Sequence, residues 1–233
     1  MSVAGDVWQL GRHRVLCGDC TAAGSMSALL KGEQVDVVWT DPPYNVAYSN
    51  AAGDIANDDL PDTEFLEFLR RTFTALHRVM KPGAAIYVAH ADMGETGISF
   101  RRAFLDAGFK LAACLVWRKD SMVLGRSDYQ WIHEPILYGW KLGAGHKWYG
   151  GRKQVSVNDL GASGSPFLRR DDGRWQITLG EETMIVAGDA TVEYVEHSLI
   201  RELRPKRNDV HPTMKPVALI ERQIRNNAKA GAI

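Results

Sequence analysis

Four consecutive residues, Asp41-Pro42-Pro43-Tyr44, put an acidic acceptor, a rigid backbone and an aromatic ring into one short segment. That set suits chemistry on the exocyclic amino group of a nucleic-acid base. Such an amino group is a poor nucleophile, because its lone pair is delocalised into the ring. Two acceptors that hold its hydrogens favour a pyramidal nitrogen whose lone pair faces an electrophile. The Asp41 carboxylate and the Pro42 carbonyl can be those acceptors, fixed by the two prolines. Tyr44 can stack on the base. A base inside a duplex is out of reach and must first be flipped out. Transfer to it then depends mainly on positioning the two reactants. The same residues also read as an ordinary strand-to-loop turn.

A second segment, His211-Pro212-Thr213-Met214-Lys215-Pro216, precedes a helix expected over 217–229, with Pro216 at its first position. A helix N-terminus beside Thr213 and Lys215 is a favourable place for a carboxylate. A proline-rich helix start serves purely structural ends equally well.

The flanking elements must position these residues. His13 to Cys17 reads as a strand ending at Gly18-Asp19, and Thr21 can cap a helix through Leu30. Val35-Asp36-Val37-Val38-Trp39 is a β-branched run that ends at the double proline, so Asp41 falls at the carboxyl end of a strand. Residues 45–60 are rich in Asn, Asp and Gly and predict a mobile loop. Phe65, Leu66, Leu69, Phe73, Leu76 and Met80 follow a helical period from Thr63, stopped by Lys81-Pro82-Gly83. Strands are expected at 84–89, 111–117 and 135–140, with a helix at 96–107. This alternation predicts an α/β, doubly wound, mainly parallel sheet, in which ligands bind beyond the carboxyl ends of the strands. Asp19 and Asp41 would share such an end.

Residues 159–199 differ. A linker-like Gly161-Ala-Ser-Gly-Ser-Pro166 precedes strand-like runs at 175–179, 183–186 and 191–195, which predicts a small antiparallel β insertion. The larger domain then comprises 8–158 and 200–233.

Bulk properties restrict the class further. The chain has 233 residues and no net charge, with 28 basic and 28 acidic side chains. Residues 1–109 hold 9 Lys and Arg against 14 Asp and Glu, whereas residues 110–153 hold 8 against 3. A local basic segment of this kind can serve a polyanion, and it can equally be solvated surface. No apolar run is long enough to span a membrane, and the first residues lack the pattern of a signal peptide. A cytoplasmic protein is expected. Cys17 and Cys20 have C-x-x-C spacing, but no second pair accompanies them, so reduced thiols in or near a core are expected rather than a metal site.

Together, Asp41-Pro-Pro-Tyr44 and His211-Pro-Thr-Met-Lys-Pro216, in that order, resemble the circularly permuted β group of S-adenosylmethionine-dependent DNA amino-methyltransferases of phage and prophage type. Val15-Leu-Cys-Gly-Asp19 and Ser127 to Tyr138 resemble flanking segments of that group. The resemblance implies a Rossmann-like methyltransferase fold, S-adenosylmethionine as cofactor and double-stranded DNA as partner. It implies catalytic roles for Asp41, Pro42, Pro43 and Tyr44. Cofactor contacts would come from Asp19, Asp41, His211, Thr213 and Lys215, although Asp19 can equally cap a helix and His211 can equally be a turn residue. Arg118, Lys119, Arg126 and Tyr129, beside Trp117, would border a DNA cleft. Arg204, Lys206 and Arg207, with Arg201, would add DNA contacts next to the insertion.

The family continues past its last helix into a strand and a glycine-rich F-x-G-x-G turn, which has no counterpart between residues 1 and 233. A C-terminally truncated sheet is therefore expected, with weak binding of cofactor by these residues alone. A homodimer or a further C-terminal segment would complete the pocket. Asp at the first motif position leans towards adenine N6. The alternatives are cytosine N4, methylation of RNA or protein amide nitrogen, and a DNA-binding remnant without catalysis.

Overall fold

The computed structural model describes residues 2–50, 53–123, 128–152, 154, 156–159, 167–170, 172–179, 182–186 and 215–233. A five-stranded sheet forms the centre. Its strands are β3 (Val35–Thr40), β6 (Met80–Ala89), β7 (Phe109–Val123), β8 (Trp131–Lys141) and β9 (Val157–Asp159), in the spatial order β3-β6-β8-β7-β9. β3 pairs with β6 in parallel, from Val37 opposite Ala85 to Thr40 opposite Val88. β8 runs antiparallel to both β6 and β7, and β9 runs parallel to β7. Four strands thus share one direction and β8 opposes them.

Helices cover both faces, as a doubly wound sheet requires. β6 alternates between them. Ala84, Ile86 and Val88 join a core with Leu30 of α1 (Ala23–Leu30), Phe65, Leu69 and Phe73 of α2 (Asp62–Val79), and Phe100 and Phe104 of α3 (Gly94–Asp106). Ala85, Tyr87 and Ala89 meet Trp117, Ile136 and Leu219 of α4 (Val217–Asn227) on the other face. Strands buried on both sides read as continuous apolar runs, which is why β6 is legible in the sequence.

α2 shows how local chemistry sets an element. Its apolar positions recur at helical spacing, and Asp62 and Glu64 stand in its first turn, where the helix dipole favours negative charge. At the far end the Lys141 ammonium donates to the carbonyls of His77 and Met80 at 2.8 and 2.9 Å. The Lys81-Pro82-Gly83 segment does not merely stop this helix. It is already part of β6, where Gly83 takes φ +79° and the pairing with β3 shifts register. Only glycine holds that backbone without strain.

Three further expectations change. The strand near His13 is β2 (His13–Leu16), and among the described residues it pairs only with β1 (Val7–Leu10), as a hairpin outside the main sheet. Asp19 therefore does not end a strand of the central sheet. The loop at 45–60 contains a small hairpin, β4 (Ser49–Asn50) with β5 (Gly53–Asp54), and is knitted rather than loose. Buried Asp58 accepts the backbone N–H groups of Asn45 and Tyr48, both at 2.8 Å, and the Asn45 side chain exchanges two hydrogen bonds with the Leu60 backbone. Asn and Asp are turn formers, but here their side chains replace missing backbone partners. Third, Cys17 is exposed, while Cys20 and Cys114 are half-buried.

The small antiparallel unit is β10 (Phe167–Arg169), β11 (Trp175–Leu179) and β12 (Glu182–Val186). β11 and β12 match two expected strands. β10 takes the third place, and the run at 191–195 lies outside the described residues. β9 belongs to the main sheet although it crosses the boundary expected at 158/159.

Candidate active site

Asp41 follows the last residue of β3 directly, at the carboxyl end of the sheet. Pro42 is buried, and Pro43 and Tyr44 are half-buried, so the double proline turns the chain inward under Asp41. The Tyr44 ring packs edge-on against Phe100 of α3, with centroids 6.3 Å apart. On its other side the Asn45 and Asp58 hydrogen bonds anchor the next residues.

Lys215 immediately precedes Pro216, which opens α4. Its ammonium donates to both oxygens of Asp41, at 3.0 and 2.8 Å. It also lies 3.3 Å from Oε2 of Glu134 and 5.0 Å from the centre of the Tyr44 ring. Glu134, on β8, accepts the Tyr44 hydroxyl at 3.1 Å and forms an ion pair with Lys119 of β7. Two ammonium groups and two carboxylates thus meet around one tyrosine. Lys215 and Lys119 are buried, which a cation tolerates only when paired.

The electrostatics follow from this arrangement. Burial opposes ionisation of Glu134, but Lys215 and Lys119 outweigh it and hold its carboxyl below the ordinary range. Burial, reinforced by the charges of Asp41 and Glu134, pushes the Tyr44 phenol well above its usual value. Tyr44 is therefore a neutral hydrogen-bond donor at physiological pH.

A family profile described as DNA methylase, of the N6/N4 methyltransferase type, matches residues 35–233. The chain belongs to this DNA methylase family.

Among relatives of the chain, the type II methyltransferase M.HpaI of Haemophilus parainfluenzae is 26% identical over 230 residues, covering 95% of this chain and 62% of that protein. The DNA adenine methyltransferase YhdJ of Escherichia coli K12 is 30% identical over 111 residues, covering 46% of this chain and 35% of that protein. The chain thus spans less than two thirds of the length of either relative. Among solved structures, the M1.HpyAVI–SAM complex aligns with a TM-score of 0.46 at 18% identity, over 87% of this chain and 71% of that one. A DNA modification methylase from Thermus thermophilus complexed with S-adenosyl-L-methionine aligns with a TM-score of 0.40 at 17% identity, over 63% and 66%.

The fold brings Asp41, Pro42, Tyr44 and Lys215 together across 174 residues of sequence. Asp19 stands apart from them. It is exposed, and its Oδ1 accepts the backbone N–H and the hydroxyl of Thr21, both at 2.8 Å, in a local turn before α1, whose N-cap residue is Ala22 and carries no side-chain cap, so neither Asp19 nor Thr21 caps that helix. Lys119 is not a surface cation but an interior partner of Glu134. Tyr129 is 90% exposed and Arg118 is exposed. Arg126, Arg201, Arg204, Lys206, Arg207, His211 and Thr213 lie outside the described residues. Two cations of the basic segment 110–153 are drawn into the fold, since Lys141 caps α2 and Lys119 pairs with Glu134, whereas Lys147, 3.4 Å from Asp36, and Lys110, over the Trp140 ring, stay exposed.

Glu134 is the site residue that sequence reasoning missed. A signal was available, since it is the one acid in the strand-forming run Trp131 to Lys141, and a carboxylate in a buried strand needs a partner.

Proposed function

We propose that this chain transfers a methyl group from S-adenosylmethionine to the exocyclic amino group of a base flipped out of double-stranded DNA, with adenine N6 as the target. The observation that carries the reading is the Asp41–Tyr44 corner at the carboxyl end of β3, with Lys215 docked on it, in a chain of the DNA methylase family. In sequence the catalytic corner precedes the segment that holds Lys215, the order of the circularly permuted β group.

The residues present fit the methionine end of the cofactor. α4 opens without a side-chain cap, so its first-turn N–H groups, beside Lys215, suit the carboxylate of a methionine moiety. His211 and Thr213 would add contacts there, and Asp19 would reach the adenosine end. The cofactor supplies an electrophilic methyl group on a sulfonium centre. The chain supplies geometry. Asp41 and the Pro42 carbonyl accept the two amino hydrogens of the base, Asp41 stabilises the positive charge that develops on nitrogen as the N–C bond forms and the S–C bond breaks, and the surplus proton then leaves the nitrogen for solvent. Tyr44, kept neutral, stacks on the flipped base, and the Phe100 contact limits its rotation. Because the site is half-buried, these interactions act in a medium less screening than water.

Arg118 and Tyr129, with Arg126, would border the DNA. The β10–β12 unit, with Arg201, Arg204, Lys206 and Arg207, would carry sequence recognition. The test is transfer of labelled methyl from S-adenosylmethionine to duplex DNA, followed by nucleoside analysis. Label on N6-methyladenine supports the reading. Label on N4-methylcytosine moves the target to cytosine, and no transfer to DNA overturns the reading.

A further inference from the structure

Lys215 is not held by Asp41 alone. Its ammonium stands 2.8 and 3.0 Å from the Asp41 oxygens and 3.3 Å from Glu134 Oε2. The second oxygen of Glu134 is committed to Lys119, and Oε2 also accepts the Tyr44 hydroxyl at 3.1 Å. The side chains of Lys215, Lys119 and Glu134 retain only 6%, 8% and 17% of their exposure, whereas Asp41 retains 29%. The cluster thus has a buried end at Glu134 and an accessible end at Asp41.

This geometry creates a conflict with the chemistry asked of Asp41. An ionised carboxylate offers about four acceptor positions, and Lys215 occupies one on each oxygen, so an amino group would bind Asp41 beside an ammonium that opposes the positive charge developing on nitrogen. A neutral base amino group is a weaker partner than an ammonium, so it competes poorly while Lys215 stays in place. Withdrawing Lys215 from every carboxylate would strand a buried cation. Glu134 resolves the conflict, because it is a second carboxylate already within reach of the same ammonium. Glu134 Oε2 already lies 3.3 Å from the ammonium, so a small movement of the lysine side chain makes Glu134 the nearer partner and weakens the hold on Asp41.

We propose that Glu134 is a positioning residue that takes over Lys215 when the base arrives, freeing Asp41 to hold the amino group. The inference rests on the reading of Asp41 and Tyr44 as base-binding residues. It adds a coupling: Oε2 of Glu134 receives both Lys215 and the Tyr44 hydroxyl, so one acceptor sets the freedom of the carboxylate and the tilt of the stacking ring.

Three variants test it: Glu134→Gln, Glu134→Asp, and the double variant Lys119→Met with Glu134→Gln. The double variant removes the Lys119 cation together with the Glu134 charge it pairs with, so it guards against misfolding from the change in local charge. The expected result is a fall in kcat of at least about tenfold in both variants that carry Glu134→Gln, KM for S-adenosylmethionine within about twofold, and partial recovery with Glu134→Asp. Full recovery of kcat in the double variant would overturn the proposal, because Glu134 would then only neutralise Lys119. A second readout needs neither DNA nor cofactor. The Lys215 ammonium resonance of protein carrying 15N-labelled lysine should shift in Glu134→Gln, and a resonance that does not move would also overturn the sharing. A wild-type chain that transfers no methyl group would count against the functional reading alone, leaving this comparison decisive.

Discussion

The Lys215 ammonium bridges both carboxylate oxygens of Asp41, joining the start of α4 to the end of β3. The contact closes a distance of 174 residues and sets an ammonium beside the carboxylate proposed to hold the base amino group. The two partners are therefore expected to respond differently to substitution, one in catalysis and the other in folding.

Asp41→Asn keeps the shape of the side chain but removes its charge and replaces one acceptor with a donor. Methyl transfer should fall at least about 100-fold, the scale seen when one preorganised electrostatic partner is lost. DNA binding should stay within a few-fold. Filter binding alongside labelled transfer separates the two, and retained transfer would remove Asp41 from the catalytic role.

Lys215→Ala should be costly to folding. It removes the ammonium that pairs with Asp41 and leaves half-buried Glu134 with one fewer cation beside it. Breaking a buried pair in this way costs about 3 kcal/mol. Urea denaturation should show the loss as a lower midpoint at constant slope. A loss below about 1 kcal/mol would mean that the pair behaves as a surface salt bridge.

Stability should decline with acidity in two stages. Buried His90 is pushed below the usual histidine value by desolvation, which its bond to the Ala91 carbonyl only partly offsets, and Phe100 packs on its ring. Its folded state prefers the neutral ring, so the unfolded chain binds more protons below the ordinary value of 6.5. Stability is thus full above that pH and is lost as pH falls below it. Half-buried His77, lowered mainly by desolvation, acts in the same direction. Glu134 adds a second loss below its ordinary value of 4.5, since its folded value is depressed. Unfolding free energies between about pH 8 and pH 5 should show the first slope, and His90→Phe should flatten it.

Asp58→Ala tests the knot behind Tyr44. Asp58 is 2% exposed and its two oxygens accept Asn45 and Tyr48. Each stranded buried donor costs about 1–3 kcal/mol. Both stability and kcat should fall, because Asn45 adjoins the stacking tyrosine. Unchanged kcat in a folded variant would show that Tyr44 is held from the Phe100 side alone.

Removing residues 162–198 should leave methyl transfer measurable while relaxing the choice of DNA sequence. Methylation mapping on random duplexes checks this. An unchanged preference would take sequence recognition away from the β10–β12 unit.

Residue type and spacing alone dictate the α/β alternation, the two-sided core and the chemistry of the Asp41–Tyr44 corner. These are local properties: a β-branched run, a helical period and two prolines act over a few residues. β6 and α2 are legible for that reason. The partners of charged residues are not, because a salt bridge is a relation between strands distant in sequence. Lys119 and Lys141 read as surface cations in a basic segment, yet one is buried on Glu134 and the other caps α2. Asp19 reads as the end of a sheet strand, but the pairing of β1 with β2 takes that strand out of the sheet. Glu134 becomes a site residue only when the β7–β8 pairing sets it beside Lys119 and the docking of α4 brings Lys215 to it. Side-chain type supplies the candidates, and three-dimensional packing, which decides which charges share a desolvated space, assigns their partners.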